Sequence, residues 1–153
     1  MSAASIEDRL AITDLTIAYC WALDGRRWDL LDDVFTVDAL AQLGESVSGL
    51  PAIKARVSSA LGMLDDSQHM VSNHEVDVDG DRATCRCYFQ AQHVRTAAVG
   101  GPNFIIAGRY EDQLVRTLEG WRIRQRVLTV MWREGNVAVV RPDLEPTAGG
   151  SGA

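Results

Sequence analysis

Asp77-Val78-Asp79-Gly80-Asp81-Arg82-Ala83-Thr84 decides the architecture of this chain. An Asp-Gly pair between two runs of alternating apolar and polar residues is a strong hairpin signal, because the tight turn needs a residue that tolerates positive φ. Outward from that turn, His69–Val78 and Ala83–Val94 read as the paired strands. Phe104–Leu118 and Trp121–Val130 read as two more, joined by the short turn Leu118-Glu119-Gly120. The stretch Thr96–Asn103 holds two glycines and a proline and serves as the longer connection between the two pairs.

Upstream the period changes from two to that of a helix. Ser5-Ile6-Glu7-Asp8 resembles a capping box. Ile6, Leu10, Ile17 and Trp21 then recur at helical spacing, which predicts a helix over Ile6 to Leu23 with Gly25 as its stop. Trp28 to Phe35 reads as a short second helix. Ala39 to Leu43 reads as a short strand, and Pro51 opens a third helix with Leu50, Ile53, Val57 and Leu61 on its apolar face. Helices followed by consecutive hairpins imply an α+β fold with an antiparallel sheet. The expected domain spans residues 1–141, and the Gly- and Pro-containing segment 142–153 is expected to be a loosely ordered tail.

The bulk numbers narrow the function classes. The chain has 153 residues, 46% hydrophobic and 24% charged, enough for one core of its own. No apolar run approaches the ~20 residues of a membrane helix. The first residues lack the basic-then-apolar pattern of a secretory signal, so a cytoplasmic location is expected. The net charge of −6 argues against nucleic acid, which calls for a basic face. Arg122, Arg124 and Arg126 form a period-two row that reads as a solvated strand face. Cys20, Cys85 and Cys87 lack the spacing of a disulfide framework or a zinc site and read as small wall residues. No metal and no cofactor are expected.

Polar residues at inward positions mark the candidate site. On the second strand Cys85, Cys87, Phe89, Ala91 and His93 share a face, so His93 ends an apolar row. His69 opens the first strand, and His74 falls on the opposite face unless a bulge resets the register; it is read as outward. Asp24 stands where the first helix ends, against the negative end of the helix dipole. Tyr19 lies five residues earlier, roughly 140° away around a regular helix. The two converge only if the helix has ended or turned by Asp24.

The run Ile6-Glu7-Asp8-Arg9-Leu10-Ala11-Ile12, then Tyr19, Asp24, Leu31 and Phe35-Thr36-Val37-Asp38-Ala39, resembles the SnoaL-like branch of the nuclear transport factor 2-like superfamily. His69, the Val78–Ala83 hairpin, and Gly108-Arg109-Tyr110 leading to Gly120-Trp121-Arg122-Ile123 add to the resemblance, which covers most of residues 5–132. The nearest groups are the scytalone dehydratases, bile-acid 7α-dehydratases and hexachlorocyclohexane dehydrochlorinases. The resemblance implies a cone-shaped α+β barrel, a curved sheet wrapped on the amino-terminal helices, with an open mouth for a hydrophobic ligand. It also implies metal-free acid–base chemistry by Tyr19, Asp24 and His69, with His93 matching a second histidine and Asn103 the candidate for an asparagine.

On that footing Asp24 would orient His69 as a general base, and Tyr19 would stabilise developing negative charge. Amphipathic phase selects Trp21, Phe35, Leu61, Cys87, Phe89, Met131 and Trp132 as lining for an apolar substrate such as a steroid, polyketide or aromatic compound. The leading expectation is a cofactor-independent lyase of dehydratase type. An isomerase or cyclase using the same base, or a noncatalytic binding module, are the alternatives. An apolar outer surface on such a sheet predicts a homodimer or homotrimer.

Overall fold

The computed structural model describes residues 5–146. Helix α1 (Ile6–Asp24) is followed by a 3-10 turn (Trp28–Asp33), strands β1 (Phe35–Gln42) and β2 (Ser46–Ser48), helix α2 (Leu50–Leu61), and four long strands. These are β3 (Asp66–Asp79), β4 (Arg82–Val94), β5 (Asn103–Thr117) and β6 (Gly120–Gly135). They form one sheet in the order β2-β1-β6-β5-β4-β3. Both hairpins form where the turn residues place them: Asp79 pairs with Arg82, and Thr117 with Gly120. The fold is α+β, as expected.

The sheet is not antiparallel throughout. β1 runs parallel to β6, with Phe35 opposite Ile123 and Leu40 opposite Gln125. The predicted second helix is cut short for the same reason. It becomes a 3-10 turn ending at Asp33, because Phe35 is drawn into the sheet and Val34 accepts a hydrogen bond from the Ile123 amide at 2.8 Å. A contact between residues almost ninety positions apart leaves no local trace.

The stripe expected to bury α1 faces away from the core. Ile6, Leu10, Ile17 and Trp21 are 76, 58, 38 and 73% exposed. The helix instead buries Ile12, Thr16, Tyr19, Cys20, Ala22 and Leu23. Apolar residues lie on both sides of α1, and the chosen side contains Thr16, whose hydroxyl donates to the Thr13 carbonyl at 2.7 Å. A polar side chain satisfied in this way can be buried at little cost.

Two irregularities re-aim side chains. In β3 the register shifts between Ser72 and Glu75, with Asn73 at φ 57. Asparagine is among the few residues that accept that region. The shift turns His74 inward, and its Nε2 lies 2.7 Å from Thr16 Oγ1. The outward reading of His74 is therefore overturned. In β6 a second shift, between Gln113 and Leu114 of β5, breaks the arginine row. Arg124 stays exposed while Arg126 is fully buried, so the solvated-face reading does not hold for Arg126.

Gly108 sits at a third shift, where a Cβ would lie 1.9 Å from the Thr129 carbonyl oxygen. The obstacle is backbone and cannot step aside. Gly108→Ala is expected to cost about 3 kcal/mol or more, at the upper end for overpacking. A urea denaturation curve measures this, and an unchanged midpoint would show that the strands slide freely here.

The helix N-terminus is tied to the β5–β6 turn. Asp8 accepts two bonds from the Arg116 guanidinium, at 2.7 and 3.0 Å, and one from Trp121 Nε1 at 2.9 Å. Those donors hold its carboxyl well below the usual carboxylate range. At the other end, Arg95 donates to the carbonyls of Ala138 and Val139 and pairs with Glu145, over a 3-10 turn at Pro142–Leu144. The rest of the predicted tail, residues 147–153, lies outside the described residues.

Candidate active site

Asp24 is the last residue of α1. The negative end of the helix dipole disfavours a carboxylate there, and burial does so too. Three donors answer both. The His69 amide reaches Oδ2 at 2.7 Å, His69 Nδ1 reaches Oδ1 at 2.6 Å, and Ser67 Oγ donates to Oδ1 at 3.0 Å. Burial pushes the Asp24 carboxyl up, the bonds from His69 and Ser67 push it down, and the net result lies below the ordinary carboxylate value.

Helix α1 continues regularly to Asp24, and the left-handed residue that turns the chain is Arg26, at φ 54, rather than Gly25. The Arg26 guanidinium donates to the carbonyls of Asp24 (3.1 Å) and Leu64 (2.8 Å), so it couples the helix end to the turn that enters β3. That coupling brings Asp24 and His69 together across 45 positions of sequence.

A carboxylate only accepts, so His69 Nδ1 is the donor in this bond and Nε2 is the nitrogen not engaged by Asp24. His93, opposite Ser67 on β4, packs edge-to-face on His69 with ring centres 5.8 Å apart. Its Nδ1 donates to the Phe104 carbonyl at 3.3 Å. Burial, with His69 beside it, pushes the His93 pKa down to about 4. His93 is thus neutral near pH 7 and offers Nε2 as an acceptor.

This gives a stability prediction. In the unfolded chain His93 binds a proton below about pH 6.5, while in the fold it does so only near 4. Stability then falls as pH drops through that window, because the unfolded state holds more protons. His93→Gln is expected to flatten this part of the urea-midpoint profile. An unchanged slope would mean that His93 titrates like a free imidazole.

The dyad opens on a crevice of about 760 Å³ between the end of α1 and the start of β3. Trp21 and Ile17 form one wall, Met70 and Val71 the other, with Gln68 and Gln92 at the polar rim. Of the residues expected to line a pocket, Trp21 is on this crevice. Phe35, Leu61, Cys87 and Phe89 are packed in the core. Asn103 is exposed beside the rim, 3.5 Å from Gln92 Nε2. Met131 and Trp132 border a different hollow of about 560 Å³, with Met70 and Tyr88, because the Ala107/Gly108 irregularity displaces them.

Tyr19 does not line the crevice either, since an unbroken helix keeps it about 140° from Asp24. It belongs to an interior box. Its ring meets Phe35 and Tyr110 edge-on, and the Arg126 guanidinium lies 4.4 Å over Tyr19 and 4.1 Å over Tyr110. Burial pushes the Tyr19 phenol up to about 12. Arg126 Nε and Nη2 donate to Asp112 at 2.8 and 2.7 Å. Its Nη1 has no hydrogen-bond partner among the described residues.

Ser67 was not singled out from the sequence, and Arg126 was read only as part of a solvated row. Ser67 stands two residues before His69 and so shares its inward face, a signal that was available. Arg126 depends on the β6 irregularity and gave none. Among the described residues no three His, Cys, Asp or Glu side chains gather as a metal site, and the cysteines are free and buried. Among the described residues no helix is long and apolar enough to cross a membrane.

Residues 4–127 match the family model described as SnoaL-like domain. An uncharacterised protein of Mycobacterium tuberculosis is 40% identical over 135 residues, covering 84% of this chain and 89% of that one. Among solved structures, the Kfla4162 protein from Kribbella flavida superposes with a TM-score of 0.82 at 27% identity, over 88% of this chain and 97% of that one. A hexachlorocyclohexane dehydrochlorinase shares the fold with a TM-score of 0.74 at 20% identity, over 85% and 92% of the two chains.

Proposed function

We propose that this chain, which belongs to the SnoaL-like domain family, is a cofactor-independent lyase that removes a proton from a hydrophobic small molecule and expels a leaving group, as in a dehydration. The observation that carries this reading is the 2.6 Å bond between His69 Nδ1 and Asp24 Oδ1, which commits Nδ1 to the carboxylate and leaves Nε2 as the ring nitrogen not engaged by Asp24, on a residue that lines an open crevice. Asp24 fixes the tautomer and stabilises the imidazolium as it forms. His93, buried behind His69 and off the crevice wall, packs edge-to-face against the His69 ring and supports its orientation. Tyr19 and Arg126, packed together in the interior box, do not reach the crevice and take no part in this chemistry.

The apolar walls at Ile17, Trp21 and Met70 favour an apolar substrate body. Incubation with a panel of β-hydroxy carbonyl compounds, read by product mass, tests this. Loss of water is the expected result. Conversion without mass change identifies an isomerase or cyclase using the same base, and no conversion of any compound favours a binding module.

Self-association is proposed through the exposed apolar side chains Met70, Tyr88, Met131 and Trp132 that border the second hollow. Light scattering at micromolar concentration should report a homodimer or homotrimer, and a clean monomer would remove this proposal. A cytoplasmic setting fits this reading.

A further inference from the structure

Ser67 occupies a position where chemistry, rather than packing, has to explain a hydroxyl. It is 5% exposed and points inward on β3, in a row that continues with His69 and Val71. Alanine would fill nearly the same space with no polar atom to desolvate. A buried hydroxyl is tolerated only when it is bonded. The bond Ser67 Oγ makes is the 3.0 Å donation to Asp24 Oδ1.

The other two donors to Asp24 both belong to His69, one from its backbone and one from its ring. A carboxylate held only by a single residue can swivel as that ring gains and loses a proton. A third donor, from a neighbouring strand residue that never titrates, removes this freedom. We propose that Ser67 is a positioning residue of the dyad, its hydroxyl locking the Asp24 carboxylate in the orientation that receives both donors of His69. This rests on the reading of Asp24 and His69 as an acid–base pair and names the group that keeps the pair aligned.

The groups around the carboxylate are His69 and Asp66 from β3, His93 from β4, Cys20 from α1 and Arg26 from the following turn. Ser67 adds no charge to that set, so any effect of removing it acts through the lost hydrogen bond. Losing a donor to the charged form raises a carboxyl pKa.

The test is a carbon-13 NMR titration of the Asp24 side-chain carboxyl in the whole chain without ligand. Ser67→Ala is expected to move the Asp24 midpoint upward, and Ser67→Thr, which keeps the hydroxyl, to leave it in place. An unmoved midpoint in Ser67→Ala, or an equal shift in Ser67→Thr, overturns the proposal. If Ser67→Ala does not fold, Ser67→Cys, with a weaker donor in the same shape, is expected to give the same upward direction, and no shift there overturns the proposal. His69→Ala separates the two readings. A midpoint that ignores His69→Ala but responds to Ser67→Ala sinks the dyad and leaves the Ser67 bond standing. The reverse pattern keeps the dyad and removes Ser67 from it.

Discussion

Arg126→Met is expected to destabilise the fold by about 3–5 kcal/mol, the usual cost of leaving one partner of a buried ion pair alone. Arg126 and Asp112 are fully buried and joined by two bonds near 2.8 Å. Removing the guanidinium strands the Asp112 carboxylate beside Cys85, its β4 neighbour, in an apolar interior. It also strips the cation from the faces of Tyr19 and Tyr110. The double change Arg126→Met with Asp112→Leu is expected to recover most of the loss, because two apolar side chains of similar volume need no partner. Urea unfolding of the three proteins checks this. A double variant as unstable as the single would show that the aromatic box, rather than the stranded charge, carries the cost.

Asp24→Asn has the largest expected effect on activity. Three donors converge on the carboxylate from His69 and Ser67. An amide presents one oxygen and one NH₂, so at least one donor meets another donor and the His69 ring loses its fixed tautomer. The expected loss is up to about 10⁴-fold in turnover, as for a misoriented general base. Full turnover in this variant, on a substrate found by the product-mass screen, would sink the acid–base reading. The same change alters acid stability. The folded Asp24 pKa lies below its unfolded value, so its contribution is present above about pH 3.9 and is lost as pH falls through the folded value. The asparagine variant should lack that part of the acid-induced loss, which urea midpoints measured from pH 5 downward would show.

Local chemistry carried the readings that succeeded. Asp79-Gly80-Asp81 and Glu119-Gly120 announce turns because few residues accept their backbone angles, and Gly80 indeed stands at φ 61. The strands follow from them, with ends within a few residues of those observed. Asp24 stood out because a carboxylate at a helix C-terminus is locally unfavourable and asks for an explanation. The lining residues fared differently. Phase alone separates inside from outside, and it does not tell a core wall from a crevice wall, so Phe35, Leu61, Cys87 and Phe89 were grouped with Trp21.

Sequence by itself determined the α+β class, the two hairpins and the candidate Asp24, since each rests on backbone preferences or charge within a few residues, whereas His69 became a candidate through the family resemblance. Only the tertiary structure decided which face of α1 is covered, that β1 joins β6 in parallel, that His74 and Arg126 point inward, and that Ser67 completes the grip on Asp24. Those outcomes are settled by one-residue shifts in strand register and by contacts far apart in the chain. A shift of one position reverses every side chain beyond it, and nothing in the neighbouring residues records where the partner strand will lie.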